Sequence, residues 1–326
     1  RLPYIVNDLL NNGTITENIN KLITSVSDNV LGKLIDIALK ELPPPPVHFS
    51  FLILGSEGRR EQTLKTDQDN AIIFEDVPEH NLQSVQNYFL ELGRKVCGWL
   101  DACGYEYCNG DIMAQNPKWC QPLSMWKKYF RTWILTPEPK AVMLSTIFFD
   151  FRSAAGNANL ANNLKDYLKG NLKQREANLF FYHLAQNCLK VRPPIGFFRN
   201  FVVQSKGEHR HAFDLKKAMT PMVDFARIYA LENEVDETNT MERFARLHMH
   251  NLLTNTQLEE ITQAYDYLMH MRLARHATAI IDEASSADNY INPKKLNKLD
   301  QKLLKEIFSL TGELQQKLSV HFTGAA

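Results

Sequence analysis

The stretch FLILGSEGRREQTLKTDQDNAIIF, residues 51–74, decides how this chain is read. An apolar run ends in a small turn, Gly55-Ser56. A polar spacer follows, and then two acids one residue apart, Asp67 and Asp69, stand directly before a second apolar run. In extended backbone, residues i and i+2 point to the same side, so the two carboxylates are expected to project together. Two like charges held this close repel unless a cation lies between them. Hard divalent ions such as Mg²⁺ take oxygen ligands and commonly use one or two carboxylates together with the phosphates of a substrate.

Two familiar alternatives are excluded by counting. A calcium loop starting at Asp67 needs glycine at its sixth position and glutamate at its twelfth, where Ile72 and Pro78 stand. A Walker A loop needs G-K-[ST] after its spacer, and GSEGRREQT has none. What remains is a phosphate cradle of another kind. Gly55 lets backbone approach a phosphate closely, EGRREQ is expected to open a helix whose first amides favour an anion, and Arg59, Arg60 and Lys65 are cationic donors nearby.

Working outward, residues 2–42 carry apolar positions at helical spacing, such as Ile19, Leu22, Ile23, Val26, Val30, Leu31, Leu34 and Ile35, and predict two or three helices. Four prolines, Pro43 to Pro46, form a stiff connector. HFSFLIL reads as a strand up to Gly55, DNAIIFE as a second, residues 81–103 as a helix, and YEYCNGDIMA as a third strand. Beyond about residue 115 the periodicity is mostly helical. Thr220-Pro221 and Asn292-Pro293 have the form of helix starts, and TQLE, residues 256–259, that of a capping box. The fold class expected is α+β, a small mixed sheet followed by a helical bundle. The expected divisions are a helical segment 1–42, a nucleotide-handling domain 43–140 and a helical substrate-binding domain 141–326.

The totals bound the function. With 37 basic and 37 acidic residues the chain is neutral, which disfavours a nucleic acid as main partner. At 44% hydrophobic and 23% charged it has the composition of an ordinary globular protein. No apolar run approaches the ~20 residues of a membrane span, and no signal peptide is visible, so a cytoplasmic location is expected. Cys97, Cys103, Cys108, Cys120 and Cys188 form no C-x-x-C pair and read as reduced thiols. The first residue is Arg1 rather than Met, so a preceding segment is expected.

The signature GSEGRREQTLKTDQDNAIIF resembles that of the DNA polymerase β superfamily of nucleotidyltransferases, a G-S turn followed about ten residues later by D-x-D. Within it, CNGDIMAQNPKWCQPLSMWKKYFRTWI, RPPIGFFRNFVV and DLKKAMTPMVDFARIYAL are most similar to signal-transduction nucleotidyltransferases related to the uridylyltransferase of the PII protein. Such proteins often carry upstream CBS or cyclic-nucleotide-binding domains. The resemblance implies that Gly55 and Ser56 hold the phosphates of a nucleoside triphosphate while Asp67 and Asp69 bind Mg²⁺ or Mn²⁺. A third carboxylate is implied, Asp111 or its rival Asp150. The reaction implied is transfer of a nucleoside monophosphate, UMP in the characterised relatives, to a hydroxyl of a regulatory protein or small molecule. A catalytically silent nucleotide-binding module is the alternative.

Trp119, Trp126 and Trp133 recur every seven residues and are expected to be helix core. KGEHRH (residues 206–211) and LHMH (247–250) lack a third metal partner and read as solvated loops, although KGEHRH and Arg199 could touch the acceptor.

Overall fold

The computed structural model describes residues 1–325. It opens with two helices, α1 (Leu2–Asn11) and α2 (Thr16–Glu41). After the proline connector come strand β1 (Phe49–Ile53), a single helical turn α3 (Gly55–Gly58) and strand β2 (Asn70–Phe74). Helix α4 (Glu79–Ala102), the short strand β3 (Cys120–Pro122), helices α5 (Leu123–Leu135) and α6 (Pro139–Ser145), strand β4 (Arg152–Gly156) and helix α7 (Ala158–Leu172) follow.

The four strands form one mixed sheet in the order β3-β2-β1-β4. β1 is antiparallel to β2 and to β4, and β3 is parallel to β2. All five residues of β1 and of β2 are buried, as befits central strands covered on both faces. One face packs on α4, whose Phe89, Leu92 and Val96 meet Phe49, Phe51, Ile53 and Phe74. The Phe74 and Phe89 rings stack at 5.0 Å. Trp119, Trp126 and Phe130 belong to the buried core, and the Trp126 indole donates to the Ile72 carbonyl at 3.1 Å. Of the tryptophan stripe only Trp126 is buried helix core: Trp119 is buried in the turn before β3, and Trp133 on α5 is half-buried.

The chain divides into two compact units, one of residues 20–180 and one of residues 1–19 with 181–325. The sheet takes its fourth strand from beyond residue 140, because β1 has two edges to satisfy and β4 pairs with the one β2 leaves open. The expected third strand is not formed. Residues 105–114 run as turns and irregular backbone, and the strand lies at β3 instead.

In the second unit, helices α8 (Ala177–Lys190), α9 (Leu215–Glu232), α10 (Thr240–Met249), α11 (Asn255–Ile281) and α12 (Lys298–Thr323) form a bundle. Short strands β5 (Phe213–Asp214) and β6 (Tyr290–Ile291) pair beside it. Helix α9 is buried almost along its whole length and packs on α10, α11 and α12. It starts at Asp214, whose carboxylate caps Lys217 N, so Pro221 lies inside a helix and does not begin one. The capping box of α11 joins Thr254 to Gln257, two residues before the expected pair. Asn292 does cap a short 3₁₀ turn at Pro293–Lys295, while α12 begins later under Asn297. Among the described residues no helix is long and apolar enough to cross a membrane, and all five cysteines are free thiols.

Candidate functional site

The site grows from the end of β1. Leu54 N donates to the Asp69 carbonyl at 2.9 Å, which ties the Gly-Ser turn to the acidic segment. Gly55 has φ +58°, a region that costs a residue with a Cβ about 1–2 kcal/mol. A Cβ there would also stand 3.0 Å from the Ile147 side chain and 3.3 Å from Asp69 Oδ2. Gly58 is still more confined, since its Cβ would fall 1.9 Å from the Asp150 carbonyl oxygen. The helical turn α3 ends at Gly58, so Arg59 to Gln62 lie beyond it and the longer helix expected from EGRREQ is absent.

Alternation orients the acids. Gln68 and Asn70 point inward: Gln68 Nε2 donates to the carbonyls of Cys97 and Tyr105 at 2.9 Å each, and Asn70 Oδ1 accepts from Ala114 N at 2.8 Å. Asp67 and Asp69, offset by one, project to the opposite side. Backbone bonds from Gln68 N to the Glu106 carbonyl (2.8 Å) and from Asn70 N to the Ile112 carbonyl (3.1 Å) hold residues 106–112 alongside. That pairing brings Cys108 to the carboxylates. Asp67, Asp69 and Cys108 each place one ligand atom within 4.8 Å of the others. Asp69 is nearly buried, Asp67 is more open, and burial pushes the half-buried Cys108 thiol up from its ordinary value.

Asp111 sits in a turn with φ +53°, exposed, its carboxylate accepting from Asn116 Nδ2 at 2.9 Å, and it stays outside the Asp67–Asp69–Cys108 group. Asp150 is wholly buried and accepts from Arg59 Nη1 at 2.7 Å. Arg59 also donates to Glu61 at 2.8 Å, so this guanidinium is turned inward to two carboxylates. Ser56 is partly open next to Gly55. Arg60 is exposed, and Lys65 lies 3.9 Å from the Glu106 carboxylate on the surface. His209 stacks on Tyr290 at 3.6 Å, and His248 Nδ1 meets the Leu253 carbonyl at 2.8 Å. Both histidines thus have ordinary partners.

Two residues escaped the sequence reading. Cys108 carries no local signal, because only the pairing of 67–70 with 106–112 gives it neighbours. Glu57, in the turn after Ser56, is almost fully buried and accepts from Ser27 Oγ at 2.9 Å. Burial is the main cause that pushes its carboxyl up to about 7, against the lowering effects of the Ser27 hydrogen bond and Arg152. Helix α2 braces the same loop, with Gln62 Nε2 donating to Ser27 Oγ and Asn20 Nδ2 to the Gln62 carbonyl.

Family comparison agrees with this geometry. Residues 1–140 match the model described as "Putative nucleotidyltransferase DUF294", and residues 178–322 match its companion, "Putative nucleotidyltransferase substrate binding domain". No curated protein matches the chain. Together the two matches cover most of the chain and place it in the DUF294 family of nucleotidyltransferases.

Proposed function

We propose that the protein transfers a nucleoside monophosphate from a nucleoside triphosphate to a hydroxyl of a regulatory protein or small-molecule acceptor, with UMP the group favoured by the resemblance to PII uridylyltransferases. The observation that carries this reading is that Asp67 and Asp69 stand together and that Asp69 lies beside the Gly55 backbone. The donor set fits a hard divalent ion, Mg²⁺ or Mn²⁺: two carboxylates two residues apart, on the same side and near one another, with Cys108 as third neighbour. Bound there, the ion would neutralise charge on the triphosphate and on the departing pyrophosphate.

The chain's own part is positioning. Gly55, lacking a side chain, lets a phosphate approach the backbone beside Asp69, and the Ser56 hydroxyl offers a donor next to it. The Arg59–Asp150–Glu61 cluster sets the loop from behind instead of touching the nucleotide. The acceptor oxygen bonds to the α-phosphorus as the bond to the bridging oxygen breaks. Pyrophosphate leaves with that electron pair, and the acceptor's proton passes to solvent. In such chemistry orientation and charge neutralisation carry the rate, and no covalent protein intermediate is needed.

One observation favours a second reading, a silent nucleotide-binding module: among the described residues the group holds two carboxylates, with a thiol in third place. Thermal unfolding separates the two. Wild type and Asp67→Asn/Asp69→Asn are melted with each of four non-hydrolysable nucleoside triphosphates, with and without Mg²⁺. At 100 times its dissociation constant a ligand adds ~2.7 kcal/mol. Metal-dependent stabilisation that the double variant loses supports the transferase and identifies the donor. Stabilisation indifferent to both supports the silent module, and none with any nucleotide overturns the site.

A further inference from the structure

Residues 190–217, KVRPPIGFFRNFVVQSKGEHRHAFDLKK, hold seven Lys and Arg against two acids, in a chain whose totals cancel. The segment leaves α8 and doubles back on itself. Ile195 pairs with Phe201, and Gly196 N donates to the Asn200 carbonyl at 2.8 Å, which leaves Phe197, Phe198 and Arg199 at the tip. The root is anchored, with Phe201 stacked on Phe213 at 6.1 Å and edge-on to Phe308 at 6.3 Å. The tip is not covered: Phe197 is 95% and Phe198 82% exposed, and their rings meet edge to face at 5.2 Å. Two adjacent bare phenylalanines on a rooted projection mark a contact surface, not a stray apolar residue.

Next to this tip lies a recess of the opposite character. Helices α11 and α12 bound a cavity of about 700 Å³ with apolar Ala264, Ile307 and Leu310 and with acidic Glu260, Glu306 and Glu313. Arg199 Nη2 pairs with Glu306 at 2.8 Å, so tip and recess share an edge. A cationic aromatic knob therefore stands beside an acidic apolar hole on one surface of one unit. A two-fold contact requires that each copy offer what the other accepts, and a knob placed next to its matching hole meets that requirement. Central aromatic anchors with a charged rim are also the usual anatomy of an energetically effective interface.

We propose that the protein pairs with a second copy of itself, Phe197 and Phe198 of each copy seated in the α11–α12 recess of the other, under a rim of opposite charges. Sedimentation velocity of the full chain over a concentration series tests it. Wild type is expected to show a monomer–dimer equilibrium that weakens as salt rises. Phe197→Ser/Phe198→Ser alters only the tip, and Glu260→Lys/Glu313→Lys only exposed rim positions. Each is expected to keep the wild-type melting temperature and to raise the dissociation constant roughly thirtyfold or more, the equivalent of about 2 kcal/mol. An equimolar mixture of the two variants is the decisive arm. It leaves one intact tip facing one intact recess, so a dimer tighter than either variant's own is expected. Failure of the mixture to recover would mean that the tips meet each other or another partner, and would overturn the pairing. So would a wild type that stays monomeric throughout, or one whose tip instead carries it onto vesicles of anionic lipid.

Discussion

The Asp69 carboxylate oxygen Oδ2 lies 3.3 Å from where a Cβ on Gly55 would stand. The two ends of the signature, separated by a loop in sequence, are therefore in contact range, and anything added at residue 55 intrudes on the acidic pair. Gly55→Ala is expected to lose about 1–2 kcal/mol from its positive φ and to abolish most of the Mg²⁺-nucleotide stabilisation. Melting with and without ligand checks both effects. A variant that binds as well as wild type would remove Gly55 from the cradle.

Gly58→Ala acts on folding and not on ligand. Its Cβ would meet backbone, the Asp150 carbonyl at 1.9 Å, which cannot rotate away as a side chain can. A loss of roughly 2–4 kcal/mol is expected in urea unfolding, larger than that of Gly55→Ala.

Arg59 and Asp150 form a pair of which Asp150 is wholly buried. Removing either partner breaks a buried ion pair, at about 3 kcal/mol, although Arg59 keeps its bond to Glu61. Arg59→Met and Asp150→Asn are each expected to lower the denaturation midpoint, and the double variant to fall short of the sum. Additivity would show that the two do not support one another.

Glu57 sets a pH dependence. Its carboxyl is raised in the folded state to about 7 from 4.5, so between those values the native chain keeps a proton that the unfolded chain has lost. Stability from this group is full below pH about 4.5, falls as pH climbs, and reaches its minimum above about 7. Glu57→Gln is expected to flatten that part of the stability–pH curve by roughly 3 kcal/mol across the window. An unchanged slope would show that Glu57 titrates normally.

Cys108 and Asp111 make opposite predictions for the third position. Cys108 stands with the two acids, and Asp111 is held outside by Asn116. In Mn²⁺ titrations followed by nucleotide-induced melting shifts, Cys108→Ala is expected to weaken the metal response about tenfold or more. Asp111→Asn is expected to stay near wild type. The reverse result would return the third carboxylate to Asp111.

Much of the local structure was readable because its determinants are local. Apolar spacing of 3.6 marked α1, α2 and α4, and the apolar runs before Gly55 and after Asp69 marked β1 and β2. Where sequence offered two equivalent local answers, the tertiary structure chose. TNTQLEE contains two overlapping box patterns, and α11 uses the earlier one. Thr220-Pro221 looks like a helix start, but the Asp214 cap had already begun α9.

Residues 105–114 show the same limit at the site. Their alternation suggested a strand bearing Asp111. In the fold their backbone hydrogen bonds go to the Gln68 and Asn70 amides and to the Gln68 and Asn70 side chains, and a turn with positive φ diverts Asp111. By itself the sequence determined the strand–turn–acids order and the same-side projection of Asp67 and Asp69, because period two is a property of extended backbone. Only the tertiary structure decided that a thiol joins them, that Arg59 turns inward to Asp150, and that Glu57 is buried. Each of these depends on which distant backbone fills the space beside the turn, and desolvation and pairing act through that neighbourhood whatever the separation along the chain.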